Sequence, residues 1–214
     1  MEHVYLFTGF PGFISNQLIM ELLRRDEALN KIYLLVLPEQ KVKAEAEIKS
    51  IENELDGAKV VFEMVIGDIT KENLDIPFDL IHNLQQKITH VFHLAAIYDL
   101  AVPEKIAQLV NVVGTKHVNE WVKGLTKLKR YTYFSTAYVA GNREGNLYEH
   151  ELVFPKSFKN HYERTKFDAE LLVEELKKEV PITIIRPGIV KGLLKQGKQL
   201  NLMDPILSLI FLIG

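Results

Sequence analysis

The chain has no cysteine among its 214 residues, which excludes disulfides, thiolate metal sites and thiol nucleophiles. It also lacks an excess of one charge: 26 Lys and Arg stand against 28 Asp and Glu, for a formal net charge of −2. The lysines are dispersed among acids, so no nucleic-acid partner is expected. Long apolar runs are missing too. The strongest, Pro205–Gly214, falls well short of the roughly 20 residues that a membrane-spanning helix needs. The histidines at 3, 82, 90, 93, 117, 150 and 161 lack the spacing of a two-ligand helix, and no metal site is expected. The sequence opens without a signal segment and shows no repeat, low-complexity tract or Pro/Gly/Ser linker. A cytoplasmic location is the resulting expectation.

What is present is 47% apolar and 25% charged residues, an ordinary globular composition with enough chain for one sizeable core. Short β-branched runs alternate with segments of helical periodicity. Strands are expected at Val4–Thr8, Lys31–Leu37, Lys59–Ile66, His90–His93, Arg130–Ser135 and Ile182–Arg186. Helices are expected at about 14–27, 39–55, 78–86, 103–123 and 160–178. Most of the strands are too apolar for a sheet with one wet face, and the helices are long enough to cross between parallel strands. The expected fold class is α/β, a Rossmann-type doubly wound parallel sheet.

The first strand leads into Thr8-Gly9-Phe10-Pro11-Gly12-Phe13-Ile14-Ser15, followed by Leu18, Ile19, Leu22 and Leu23 at helical spacing. Gly9 would permit a tight turn, and Gly12 would let backbone approach a pyrophosphate at a helix N-terminus. A G-x-x-G spacing is weak by itself, and a purely structural turn is the competing reading. Its place after the first strand favours dinucleotide binding. Ser15 stands where a third glycine would allow close helix–strand packing, and Pro11 removes one N–H.

Six further motifs follow in order: Gly67-Asp68-Ile69, His93-Leu94-Ala95-Ala96, Asn111-Val112-Val113-Gly114-Thr115, Ser135-Thr136-Ala137-Tyr138-Val139, Tyr162-x-x-x-Lys166 and Arg186-Pro187-Gly188-Ile189-Val190. With the glycine turn, this set resembles the extended short-chain dehydrogenase/reductase family, in its fatty acyl-CoA reductase and thioester reductase (male sterility-type) branch. The resemblance implies a nicotinamide dinucleotide held by Thr8, Gly9, Phe10, Pro11, Gly12, Phe13 and Ile14, and by Leu37 after the second strand. It assigns the adenine to Asp68 with Ile69 beside it, and places Leu94, Ala95, Ala96, Pro187, Gly188 and Val190 along the cofactor. Asn111, an amide inside an apolar helix, becomes a support for the active-site backbone at the cofactor's edge.

Tyr162 and Lys166 are four residues apart and share one helix face. An ammonium beside a phenol favours the phenolate, so Tyr162 is expected to titrate closer to neutral pH. Such a pair also occurs on solvated helix faces, and the upstream hydroxyls weigh against that reading. The resemblance makes Tyr162 and Lys166 catalytic and cofactor-binding, and gives Ser135 or Thr136 the hydrogen bond to a substrate carbonyl. Counting back from Gly141 favours Thr136. The implied reaction is NAD(P)-dependent hydride transfer to a small-molecule carbonyl or acyl thioester, fatty acyl thioesters included. The alternatives are a nucleotide-sugar epimerase or dehydratase of the same superfamily, and a cofactor-binding regulatory module without turnover.

Two features depart from that branch. Leu37 occupies the place of an arginine that meets the 2′-phosphate of NADPH, and no acid ends the strand as NAD selection would prefer. Lys41, Lys43 or Arg25 would then supply the charge, or Glu39 would bind a ribose diol. NADP(H) is favoured, with NAD(H) the alternative. The sequence also stops at Gly214 within an apolar stretch. The expectation is a dinucleotide-binding domain over 1–190 and the start of a truncated substrate-binding region over 191–214, with homodimer formation as another way to cover that surface.

Overall fold

Successive side chains of a strand point to opposite faces, so a strand that is apolar throughout must be covered on both sides. Six strands form one sheet of the computed structural model, which describes residues 2–54, 60–99 and 101–190, and its central strands meet that condition. The six are β1 (His3–Thr8), β2 (Leu29–Val36), β3 (Val61–Ile66), β4 (His90–His93), β5 (Arg130–Phe134) and β6 (Ile182–Ile185). All neighbours are parallel, in the order β3-β2-β1-β4-β5-β6. The helices are α1 (Phe13–Arg25), α2 (Lys41–Glu54), α3 (Phe78–Gln85), α4 (Glu104–Ala107), α5 (Gly114–Lys123) and α6 (His161–Leu176). The chain winds outward from β1 to β3, then crosses back to β4 on the other side of β1. At such a reversal a crevice opens outside the strands' carboxyl ends.

The two faces carry separate cores. Leu6, Val91 and Tyr131 lie with Leu84, Val118 and Val173 on one side, whereas Phe7, Leu34 and Phe92 meet Leu18 and Ile19 of α1 on the other. Phe7 and Phe92 stack across the β1–β4 pair, 4.7 Å between ring centroids. The doubly wound parallel sheet is therefore present as expected.

Several boundaries move. β2 begins at Leu29, which is buried and pairs with His3, and it ends at Val36 because Leu37 turns into a short 3₁₀ turn opened by Pro38. β3 begins at Val61; Lys59 lies outside the described residues, as do residues 191–214. The expected helix over 103–123 is a composite. Between α4 and α5 the turns widen into a π segment, Gln108–Val113, a distortion often found at functional sites.

The start of α6 is fixed locally. Asn160 Oδ1 accepts from Glu163 N at 2.9 Å, and Glu163 Oε2 accepts from Lys159 N at 2.9 Å. Asn160→Ala should therefore cost about 1 kcal/mol of stability, read as a lower melting temperature. No helix among the described residues is long and apolar enough to cross a membrane.

Candidate active site

Parallel strands place all their carboxyl ends on one edge, so Thr8 and His93, which end β1 and β4, lie on the same edge as Leu37, Asp68, Ser135 and Arg186, which follow β2, β3, β5 and β6. The turn after β1 lies directly on the turn after β4. Gly9 has φ +82°, and a Cβ there would stand 2.7 Å from Ala95 N and 2.8 Å from the Leu94 carbonyl carbon. Thr8 Oγ1 accepts from Leu94 N at 3.2 Å and Ala95 N at 3.1 Å, which leaves its own proton for His93 Nδ1 at 2.7 Å.

His93 Nδ1 is then an acceptor, so the neutral ring carries its proton on Nε2, facing Thr115 Oγ1 at 3.2 Å. Thr115 in turn donates to the Asn111 carbonyl at 2.6 Å. The Asn111 amide is fully used: Oδ1 accepts from Ile97 N at 2.9 Å, while Nδ2 donates to Ile97 O and Thr165 Oγ1, each at 3.0 Å. A buried polar seam thus joins the glycine turn, the β4 turn, the π segment and α6. That answers why an amide occupies an apolar helix: it satisfies backbone that would otherwise be unpaired.

Burial pushes His93 down to about 3, helped by the charge of Lys166. His90, at the other end of β4, is pushed down to about 4, chiefly by burial and also by the charge of His3. Both native rings stay neutral while the unfolded chain protonates near 6.5, so stability is full above that pH and falls on acidification. Between pH 7 and pH 5 each histidine should remove about 2 kcal/mol. Urea unfolding at the two pH values measures the loss, and His90→Gln should recover about half of it.

At the glycine turn, Ser15 Oγ accepts from Gly12 N at 3.1 Å and lies 3.1 Å from Gly9 O and 2.9 Å from Gly12 O. A hydroxyl in the third-glycine place therefore closes the turn on itself. Phe10 and Pro11 are buried behind it, whereas Phe13 is exposed and Ile14 half-buried. The first turn of α1 carries no acid, so its positive end is not neutralised there. Asp68 Oδ1 accepts from Thr70 N at 2.8 Å, which makes Asp68 a turn former as well as a group at the end of β3. Ile69 packs against Gly114, the first residue of α5. Leu37 is exposed after β2. Of the three cations considered for a 2′-phosphate, Arg25 drops out: it ends α1 and pairs with Glu21, some 18 Å along the helix from the turn. Lys41, the first residue of α2, remains close to the end of β2.

Tyr162 is half-buried on α6, and burial raises its hydroxyl above the ordinary tyrosine value, against an opposing hydrogen bond from Thr136. This corrects the expectation of a phenolate drawn out by Lys166. The Lys166 ammonium instead donates to Tyr133 Oη at 2.9 Å and to the Phe134 carbonyl at 2.7 Å, and lies 4.4 Å from the Tyr133 ring centroid. Burial pulls Lys166 down to about 7, and the charge of Glu170 opposes that fall.

The two hydroxyls after β5 have different partners. Ser135 donates to Glu170 Oε2, while Thr136 accepts from Tyr138 N at 3.3 Å and contacts Tyr162. Glu170 Oε1 receives Arg186 Nε at 2.8 Å and Arg186 Nη2 at 2.5 Å. Beyond Arg186 opens a crevice of about 200 Å³, lined in part by Ala137, Val139, Arg143, Tyr148 and Val153. Pro187 accepts from Ala137 N at 3.0 Å, and Gly188 has open space around its Cα. Val190 is half-buried against the α1 side of the sheet. Sequence reasoning missed Glu170, Tyr133, Thr115 and Thr165. Glu170 had a legible signal, four residues after Lys166 on the face that begins with Tyr162.

The male sterility protein family model, an NAD-binding one, matches residues 7–214. The chain belongs to this family. Among relatives of this male sterility-type domain, it is 29% identical over 217 residues to Fatty acyl-CoA reductase wat of Drosophila melanogaster, covering 86% of this chain and 42% of that protein. Among solved structures, it is similar to the terminal R domain from the myxalamid PKS-NRPS biosynthetic pathway, with 30% identity and a TM-score of 0.76, covering 89% of this chain and 50% of that one. UDP-glucuronic acid 4-epimerase from Bacillus cereus, in complex with NAD, shares 26% identity at a TM-score of 0.65, over 88% of this chain and 57% of that one. The chain thus spans about half the length of these relatives. A glycine turn, a helix start without acids and a tyrosine–lysine face fit a nicotinamide dinucleotide.

Proposed function

We propose that the chain is the nicotinamide-binding and catalytic part of a reductase that acts on an acyl thioester or aldehyde, fatty acyl substrates included. The observation that carries this reading is Thr136 beside Tyr162, two hydroxyls brought together where β5 ends and α6 begins. A reduction needs a proton donor at the substrate oxygen, and this pair supplies O–H groups there.

In this reading Gly9–Ile14 and the start of α1 hold the pyrophosphate, Asp68 and Ile69 the adenosine, and Leu94–Ala96 with Pro187–Val190 the walls of the crease. The cofactor supplies the hydride. Thr136 and Tyr162 present O–H groups to the substrate oxygen, and Tyr162 delivers its proton as negative charge develops there. Lys166 has three N–H donors and spends two on Tyr133 and Phe134, which leaves one for a ribose hydroxyl. Asn111 acts from behind by fixing Ile97 and Thr165.

NADPH is the proposed reductant: β2 ends without a carboxylate to repel a 2′-phosphate, and Lys41 stands at the start of α2. Parallel titrations with NADPH and NADH, followed by nicotinamide fluorescence, test both parts. Tighter binding of NADPH supports the reading, and Lys41→Glu should cut the preference by about tenfold. Binding of neither by folded protein would end it. Product analysis with acyl thioesters against nucleotide sugars separates the reductase from an epimerase.

A further inference from the structure

Resting on the proposed reductase site, we propose that Glu170 is a positioning residue, whose carboxylate anchors Ser135 and Arg186 so that Thr136 alone of the two hydroxyls meets the substrate. Glu170 is fully buried in α6 and has both oxygens engaged. One takes the Ser135 proton and the other takes two N–H groups of Arg186. It thereby ties the carboxyl ends of β5 and β6 to one helix, beside the peptide links Ser135 N to Ile185 O, 2.8 Å, and Ala137 N to Pro187 O, 3.0 Å. A Ser135 hydroxyl that already donates to a carboxylate has no proton left for a carbonyl oxygen.

The same carboxylate acts on Lys166, one helical turn earlier. The groups facing Lys166 are Tyr133 on β5, His93 on β4 and Glu170 on α6, with Tyr162 near Tyr133 and Arg186 on the far side of Glu170. Burial holds His93 neutral and both tyrosines protonated, so Glu170 is the negative charge in this group. Its field favours the ammonium that faces the cofactor crease.

The test begins with lysine side-chain NMR, with the Lys166 signal assigned by its loss in Lys166→Met. In Glu170→Gln, which keeps size and loses charge, the Lys166 midpoint should move from about 7 to lower pH by about one unit. Glu170→Asp, which keeps charge and loses reach, should leave that midpoint nearly in place. On an acyl thioester or aldehyde, both variants should lower kcat by about tenfold with a smaller change in KM. Thr136→Ala should cost about a hundredfold, and Ser135→Ala no more than about tenfold with a lower melting temperature.

A Lys166 midpoint unmoved by Glu170→Gln, or a Ser135→Ala loss larger than that of Thr136→Ala, would overturn the proposal. The hydroxyl comparison decides the matter even if the Glu170 variants do not fold. If the wild-type chain reduces no carbonyl substrate, the reductase reading fails, and the NMR midpoint still judges Glu170.

Discussion

Replacing Tyr162 by Phe is expected to lower turnover by about 10²–10⁴-fold while reduced-nicotinamide binding stays within about threefold. The ring remains to fill its half-buried place on α6, and only the proton donor is removed. Stopped-flow loss of nicotinamide absorbance measures turnover, and fluorescence titration measures binding. The pH profile adds a sign. Burial raises the Tyr162 hydroxyl, so its protonated form persists through neutrality, and ionisation of Tyr162 should lower turnover only on the alkaline side. A variant that retained full turnover would leave the proton to come from elsewhere, with Thr136 the nearest remaining O–H on that face.

Gly9→Ala should be strongly damaging. At φ +82° an L side chain costs about 1–2 kcal/mol by itself. The new Cβ would also meet Ala95 N at 2.7 Å and the Leu94 carbonyl carbon at 2.8 Å, both backbone atoms that cannot rotate away. The total expected loss is about 2–4 kcal/mol, measured by urea unfolding. Because the turn must lift off the β4 turn, nicotinamide affinity should fall by about a hundredfold even where the fold survives. Gly145→Ala is a useful control: it also has positive φ, at +88°, but a Cβ there meets nothing within 4 Å, so the backbone cost appears without the collision.

The sheet was legible because burial on both faces leaves an unambiguous trace. Leu34, Leu35 and Val36 face alternate sides and are all apolar, as are Val91 and Phe92, and a parallel sheet with helices on both faces covers them all. Glycines with a required backbone shape were legible for the same reason, since Gly9 has a local signature. Pairings were not. The spacing of Tyr162 and Lys166 placed them on one face, yet rotation about the lysine's four carbons decides whether its ammonium meets the phenol or, as found, Tyr133 and the Phe134 carbonyl. The π segment was hidden too, because periodicity over 103–123 does not register one extra residue per turn, and Asn111 was the sole hint. Thr115 and Thr165 look like ordinary helix residues until the structure shows what they bond.

The seam from Thr8 through His93 to Thr115 has a hereditary consequence. Each hydroxyl and ring nitrogen in it has one permitted proton direction, fixed by the next member, so no member can change its hydrogen-bonding sense alone. An apolar residue at 93 would leave the Thr8 proton without its acceptor, and a valine at 8 would strand the Leu94 and Ala95 amides. Positions 8, 93 and 115 should therefore drift through evolution as a linked set, exchanging residues together or not at all. A deep mutational scan would show it as pairs of changes tolerated jointly although each is rejected singly.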